Sequence, residues 1–468
     1  MAHAPQTVLT PNPPRALHAA AAMALALATV AAWFWSADAG RALGFAWVGV
    51  ALIAASWRRP VVMFWALWAA ALFNYGVAVR GAIVKPTELV QLAMAAMILM
   101  RLVAGDRDAL GRLIRARWLV AALALLGAAA IVTAARHPNF FNVRYEILND
   151  ATILFGVLFF RARDWPSLVA LFGVAIGAEA VAALVLRFGF GVTGLDFLGG
   201  QGGVLARTMT SADISELAGG RFRLAGTMSH KNMLAAFFAL MLPLVGVELL
   251  RKKNPAWLIV LLPALAAFAL TDSMAGVIAL LIAGALLVLF VRRFDDFAVL
   301  MLIILPVLAI AVYRYGEPVF YRAQQLLDST KAGWGSVSAR FEILGISQRL
   351  IADHPWLGIG RGNFQLYGHT YYTHAHNLFL MKIIEMGIPA GAAFIAVMLA
   401  MLCLIWRALA RDARRLAEQG QYYYLLGAAL GLTAVLAMNM LDYNWPHFSL
   451  GPMFAGILGV VMAATTHE

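Results

Sequence analysis

Gly358-Ile359-Gly360-Arg361-Gly362-Asn363-Phe364, followed by His374-Ala375-His376-Asn377-Leu378-Phe379-Leu380, is the part of this 468-residue chain that no membrane helix can absorb. It lies in a stretch, 314–387, that also carries Arg314, Arg322, Lys331, Arg340, Arg349, His354 and His369 between long apolar runs. A charge at mid-bilayer costs roughly 2.5 to 3.5 kcal/mol on insertion scales, so a segment this rich in cations and imidazoles faces water. Arginines and imidazoles gathered just before the chain re-enters lipid suit the handling of an anionic, phosphate-bearing molecule.

Outward from that stretch, the chain is 62% hydrophobic and 13% charged, with a mean hydropathy of +0.79. Globular domains carry about 25% charged residues, which excludes an ordinary soluble fold. Apolar runs of helix-crossing length, without the period-2 alternation of a barrel, give an all-α polytopic membrane bundle. The net charge of +12 is then a question of topology and not of nucleic acid, for which no site is expected. The single cysteine, Cys403, sits inside an apolar run and leaves no intrachain disulfide, so packing must hold the water-facing segment. No convincing small-residue cleavage site follows the first apolar run, which reads as a retained span.

Apolar runs fall near 16–35, 42–57, 60–79, 87–104, 117–135, 145–160, 165–187, 230–250, 255–271, 274–291, 297–313, 388–406, 421–440 and 447–464, for about 12 to 14 spans. With the amino terminus in the cytoplasm, every short inside loop is basic: Arg58 and Arg59, Arg101 to Arg117, Arg161 and Arg163, Arg251 to Lys253, Arg292 and Arg293, and Arg407 to Arg415. Both termini are then cytoplasmic, and 188–229 and 314–387 are external. The expected division is 1–313 as membrane helices with the loop at 188–229, 314–387 as the motif-bearing loop, and 388–468 as closing helices, all in one integral domain. Arg80, Lys85, Arg136 and Arg144 fall in shorter external connections, where an anionic head group or diphosphate accounts for them jointly.

Three further features bear on chemistry. Arg221-Phe222-Arg223 leads to Gly226-Thr227-Met228-Ser229-His230-Lys231-Asn232 directly before an apolar helix, with Ser229 expected as N-cap of a phosphate-accepting helix end. In the large loop, 317–330 and 336–353 read as amphipathic helices along the membrane surface, the second opened by Ser336 or Ser338, with Phe341, Leu344, Gln348 and Ile351 on one face, and stopped by Pro355. The glycines at 358 to 362 suit a turn whose N–H groups face an anion. His376 suits a general base and Asn377 a cap or orienting group, while His374 and His376 alone do not make a metal site, and none is expected. Asp106-Arg107-Asp108 reads as loop charge on the cytoplasmic side. Asp150 and Glu179, acids inside apolar runs, keep a transporter or flippase of a lipid-linked saccharide as the alternative of another class; Glu248 is expected to pair with Arg251.

Arg223 to Asn232 opening a helix, Pro355-Trp356-Leu357 running into the glycine segment, and His376-Asn377 with Gly387 downstream resemble the core of the O-antigen ligases and of the related O-antigen polymerases and protein O-oligosaccharyltransferases, over roughly residues 220 to 391. This chain departs from the pattern at Ala390, where Gly, Thr or Tyr is favoured, and at Ser273-Met274, where Ser-Arg is often seen. The resemblance implies a metal-independent, cofactor-free, inverting transfer of glycan from undecaprenyl diphosphate. The acceptor is a lipid A-core hydroxyl for the ligase, a second lipid-linked glycan for the polymerase and a protein serine for the oligosaccharyltransferase. It places the active site on the periplasmic face of the bacterial inner membrane, among membrane lipids. On both grounds His376 is expected as base, Arg223, Arg340 and Arg361 around the diphosphate, and Arg221, His374, Asn377, Arg144 and His230 as binding residues.

Overall fold

The computed structural model describes residues 37–72, 77–79, 82–137, 140–190, 195–196, 205–206, 224–228, 230–290, 309, 336–368, 370, 372, 374–442 and 450–466. The helices are α1 (Ala37–Ser56), α2 (Val61–Leu72), α3 (Pro86–Val103), α4 (Arg107–Arg115), α5 (Arg117–Ala134), α6 (Arg144–Phe159), α7 (Trp165–Phe190), α8 (Lys231–Lys252), α9 (Leu258–Leu270), α10 (Met274–Phe290), α11 (Ser336–Asp353), α12 (Phe364–Gly368), α13 (Leu378–Arg411), α14 (Ala413–Glu418), α15 (Tyr422–Asn439) and α16 (Leu450–Thr466). Two small antiparallel ribbons interrupt them, β1 (Val77–Val79) with β2 (Ala82–Val84) and β3 (Leu195–Asp196) with β4 (Leu205–Ala206). Among the described residues six helices, α3, α5, α7, α8, α13 and α15, are long and apolar enough to cross a membrane, and shorter apolar helices fill between them. The expected spans at 16–35 and 297–313 and the helix at 317–330 lie outside the described residues.

Most of the other expected spans agree with the observed helices to within a few residues. The run at 60–79 does not: its described helix is Val61–Leu72, and Val77–Val79 belong to the β1–β2 ribbon. The polar stretch after Arg101 also holds a helix that apolar periodicity alone does not announce. Asp106 caps α4 by accepting from Ala109 N at 3.1 Å and pairs with Arg101 at 2.8 Å, and Asp108 pairs with Arg161 at 3.3 Å. These two acids therefore serve capping and surface pairing.

Helices α8 and α15 form the centre of the bundle, with 89% and 78% of their spans buried against 28% for α13. Their contact is set by small residues. A Cβ on Gly431 would stand 2.3 Å from Leu240 O, and one on Gly427 would stand 3.0 Å from Pro243 O. Lipid tails are as apolar as leucine, so close backbone approach, and not water exclusion, holds such helices together. At the base of α8, Glu248 pairs with Arg251 at 2.5 Å as expected, with Lys252 at 3.7 Å.

The segment that carries the motifs has its own small core. Ile343, Ile346 and Leu350 of α11, Ile359, Phe364 of α12, Ala375, and Met381 and Ile384 of α13 pack together, which does the work that a disulfide does elsewhere. This core uses a different face of α11 from the one that carries Phe341, Leu344 and Gln348. Its buried stripe is Ile343, Ile346, Ser347 and Leu350, while Phe341 and Leu344 point outward at 63% and 41% exposure.

Candidate functional site

Helix α13 is two helices joined at Gly387, whose φ of 80° and ψ of 168° are open only to glycine. The break strands two carbonyls. Glu385 O would bond the N–H four residues on, but Pro389 has none, and the amide of Ile388, due to Ile384 O, is turned to Pro355 O at 2.7 Å. The glycine segment fills both gaps: Ile359 N donates to Ile384 O and Gly360 N to Glu385 O, each at 2.9 Å. Such closeness needs glycine, since a Cβ on Gly358 would lie 2.5 Å from Ile384 O and one on Gly387 2.3 Å from Trp356 O. Two of the amides expected to face an anion, those of Ile359 and Gly360, instead mend a broken helix. His137 and His354 brace it, both edge-on to Tyr367, with His137 Nδ1 2.8 Å from the Tyr367 hydroxyl.

The same turn projects Arg361 into a buried ion cluster. Arg361 donates to Glu146 of α6 at 2.9 Å, and Lys382 of α13, 1% exposed, bonds both Glu146 and Glu385, the latter at 3.3 Å. A lysine buried this deeply is tolerable because two carboxylates compensate it. Arg361 and Arg144 lie on the ring of Tyr145 at 4.8 and 4.6 Å from its centroid, and Arg144 reaches Glu88 at 3.4 Å. The cations of this cluster are thus matched by carboxylates across α3, α6 and α13. Asp150 stands within electrostatic range of Glu146 and Lys382, whereas Glu179 is bonded to Thr227. No hydrogen bond among the described residues links these two acids into one path.

About 7.5 Å back along the first piece of α13, at a rise of 1.5 Å per residue from Lys382, stands its N-cap. Asn377 accepts from Leu380 N at 2.9 Å and donates to Met440 O at 2.8 Å, so it both caps α13 and ties it to the end of α15. His376 precedes it with φ of 50°, a left-handed conformation that costs a non-glycine residue on the order of 1 kcal/mol or more. That conformation aims its Nδ1 at Asp442 Oδ1, 3.0 Å away, and Asn232 at the start of α8 donates to Asp442 Oδ2 at 2.5 Å. A carboxylate can only accept, so the proton of a neutral His376 sits on Nδ1 and the lone pair on Nε2. The His376 side chain is 39% exposed and Asp442 8%, a reachable imidazole on a buried support. His374 lies alongside, with ring centroids 4.4 Å apart. Burial, then the neighbouring His376, push the His374 imidazole down to about 4; Asp442 opposes this and His230 adds to it, so His374 is neutral near pH 7. His230, and not Ser229, is the N-cap of α8, accepting from Asn232 N at 3.2 Å; Ser229 lies outside the described residues.

The expected residues therefore separate into two groups. His230, His374, His376 and Asn377 come together, and Arg144 and Arg361 meet around Tyr145. Arg340 is exposed on α11, and Arg221 and Arg223 lie outside the described residues. Asp442, Asn232, Lys382 and Glu146 were missed by sequence reasoning. His374, His376 and Asp442 each offer a ligand atom within 4.8 Å of the others and are the described residues best placed to hold a metal ion. Asp442 accepts on both oxygens, from an imidazole N–H on one and from an amide on the other.

In a comparison with protein families, residues 258–395 match the O-antigen ligase model. The matched interval runs from α9 into the second piece of α13 and holds the glycine segment, Arg361 and His374 to Asn377. Arg221, Arg223, His230, Asn232 and Asp442 fall outside it. No curated protein matches the chain.

Proposed function

We propose that this chain, which carries an O-antigen ligase segment within a polytopic helix bundle, is an O-antigen ligase. The reaction is transfer of glycan from undecaprenyl diphosphate to a hydroxyl of the lipid A-core saccharide. The observation that carries the reading is the line Asn232, Asp442, His376, which leaves Nε2 of an accessible imidazole as a base. The acceptor oxygen attacks the anomeric carbon while its proton passes to His376 Nε2. The bond from that carbon to the diphosphate oxygen breaks on the opposite face, so configuration inverts and undecaprenyl diphosphate departs with the electron pair. A base of this kind contributes about 10² to 10⁴-fold. Negative charge grows on the leaving group, and fixed cations stabilise it most where water is scarce. Arg223, Arg340 and Arg361 fill that role, with Arg221, Arg144, His230, His374 and Asn377 as binding residues. Arg361 is held for it by Glu146 and Tyr145.

The protein sits in the bacterial inner membrane with both termini cytoplasmic, its site periplasmic, and 314–387 as the catalytic loop between the helices of 1–313 and those of 388–468. Cysteines placed at positions 207 and 331 in a Cys403→Ala background are then labelled from outside and those at 117 and 414 are not. Purified protein offered lipid-linked glycan with three acceptors in parallel, lipid A-core, a second lipid-linked glycan and a pilin-like protein, tests the reaction. Product on lipid A-core alone supports the ligase. Product on either other acceptor moves the chain to polymerase or oligosaccharyltransferase, and movement of donor between leaflets without product sinks the transferase.

A further inference from the structure

The segment entering α8 is sunk into the bundle: Leu224, Ala225 and Met228 are buried, and Leu224 N donates to Leu270 O at 3.0 Å. At its centre the hydroxyl of Thr227 touches two oxygens. Oγ1 lies 2.8 Å from the carbonyl of Leu72 and 2.5 Å from Oε2 of Glu179, while the Thr227 amide donates to Glu179 Oε1 at 2.8 Å. A hydroxyl has one proton to give and a carbonyl has none. The 2.8 Å contact with the Leu72 carbonyl can be filled only by the Thr227 proton, since the carbonyl brings none of its own. The 2.5 Å contact then lies between two oxygens with no proton unless the carboxyl supplies it. With Glu179 ionised, one of the two short contacts faces lone pair to lone pair; with Glu179 protonated, every contact holds a hydrogen.

The surroundings agree. Glu179 is 1% exposed, in the interior of α7, and the groups acting on its carboxyl among the described residues are the amide and hydroxyl of Thr227 alone. An ionised carboxylate buried without a cation is among the costliest arrangements a protein can hold, and a carboxylic acid with both oxygens bonded avoids that cost. Gly226 makes room for it: its φ is 61°, and a Cβ there would stand 2.3 Å from Glu179 Oε1.

We infer that Glu179 is a carboxylic acid in the folded protein, and that it acts as a positioning residue which, through Thr227, fixes the segment delivering His230 and Asn232 to the His376–Asp442 pair. Thr227 is fastened at once to the end of α2 and the middle of α7. A short way on, the same segment becomes the first turn of α8, where Asn232 holds Asp442. A neutral acid fits this place better than any other side chain of its length except glutamine, which offers one donor and one acceptor in the same shape.

Glu179→Gln, Glu179→Ala and Thr227→Val test it. Infrared spectra of the detergent-purified protein at neutral pH should show a protonated-carboxyl C=O band that Glu179→Gln removes and Thr227→Val shifts. Thermal unfolding and glycan transfer of Glu179→Gln should stay within about twofold of wild type, while Glu179→Ala loses at least about tenfold in transfer through the freed segment. The transfer arm rests on His376 as base; the infrared and unfolding arms do not, so failure of the transferase reading leaves them decisive. A wild-type spectrum with no band that Glu179→Gln removes overturns the inference. So does a Glu179→Gln variant as damaged in unfolding as Glu179→Ala, because it would show that the charge is required.

Discussion

Replacing Asp442 by Asn should reverse the imidazole of His376, and Asn232 decides that outcome. Asn232 presents an N–H to the outer oxygen of residue 442. In Asp442→Asn that position must remain oxygen, so the new NH₂ points at His376 Nδ1, takes its lone pair and forces the proton onto Nε2. The base is then a donor. Loss of a general base costs about 10² to 10⁴-fold, and the corresponding wrong-tautomer substitution in the serine-protease triad reaches about 10⁴. The expected fall in kcat is therefore on the order of 10³ or more, with the KM for donor within about twofold. Adding Asn232→Asp turns the pair around: the carboxylate introduced at position 232 accepts from the side-chain amide at position 442, whose oxygen now faces His376 and restores Nδ1–H. The double variant should recover about tenfold or more of the lost rate but not all of it, since an amide lacks the charge that steadies imidazolium. The assay is transfer to lipid A-core under saturating and limiting donor, with folding followed by unfolding temperature. Full activity of Asp442→Asn, or a double variant no better than the single, would refute the assigned tautomer.

His376→Ala should lower turnover by about 10² to 10⁴-fold with donor binding nearly intact, and a folded, fully active His376→Asn would end the base assignment and move the search to His374. Arg361→Ala should lower the unfolding temperature as well as transfer, at a cost on the order of 1.5 to 3 kcal/mol for a lost hydrogen bond between charged groups, since Lys382 still pairs with Glu146; Arg361→Lys should recover only part. His374 is held near 4 when folded against about 6.5 when unfolded, so its contribution to stability is complete above about pH 6.5 and is lost as pH falls toward 4. Unfolding temperatures of His374→Gln should then vary less with pH across that window than those of wild type. Transfer should survive chelator at full rate, and an absolute need for added Mg²⁺ or Mn²⁺ would refute the assignment of charge compensation to protein cations.

Spans were legible because a bilayer demands long apolar runs, and those runs stand out against any loop. The face of α11 was not, because Phe341 and Leu344 form one apolar stripe and Ile343, Ile346 and Leu350 another, and periodicity cannot say which meets protein. His376 could be read from its place before a helix-capping Asn. Its support could not be read so directly, although an acid ending an apolar run on the same side of the membrane was a signal, and Asp442 is that acid. Lys382 and Glu146 are 236 positions apart, so only the fold pairs them. The role of the glycine segment was written one step away, in Pro389, whose missing N–H leaves Glu385 O in need of a donor from elsewhere.

The first piece of α13 is clamped at both ends, by Asn377 to Met440 and by Gly387 against Trp356. It is therefore a spacer of fixed count. One inserted residue between those clamps would turn everything beyond it by about 100° and advance it by about 1.5 Å. His376 would then leave Asp442, Lys382 would leave Glu146 or Gly387 would leave Trp356, since no rotation satisfies all three. Substitutions on its surface are a matter of chemistry, but its length is a matter of phase, and a natural variant of this chain that differs in length should differ anywhere except between 377 and 387.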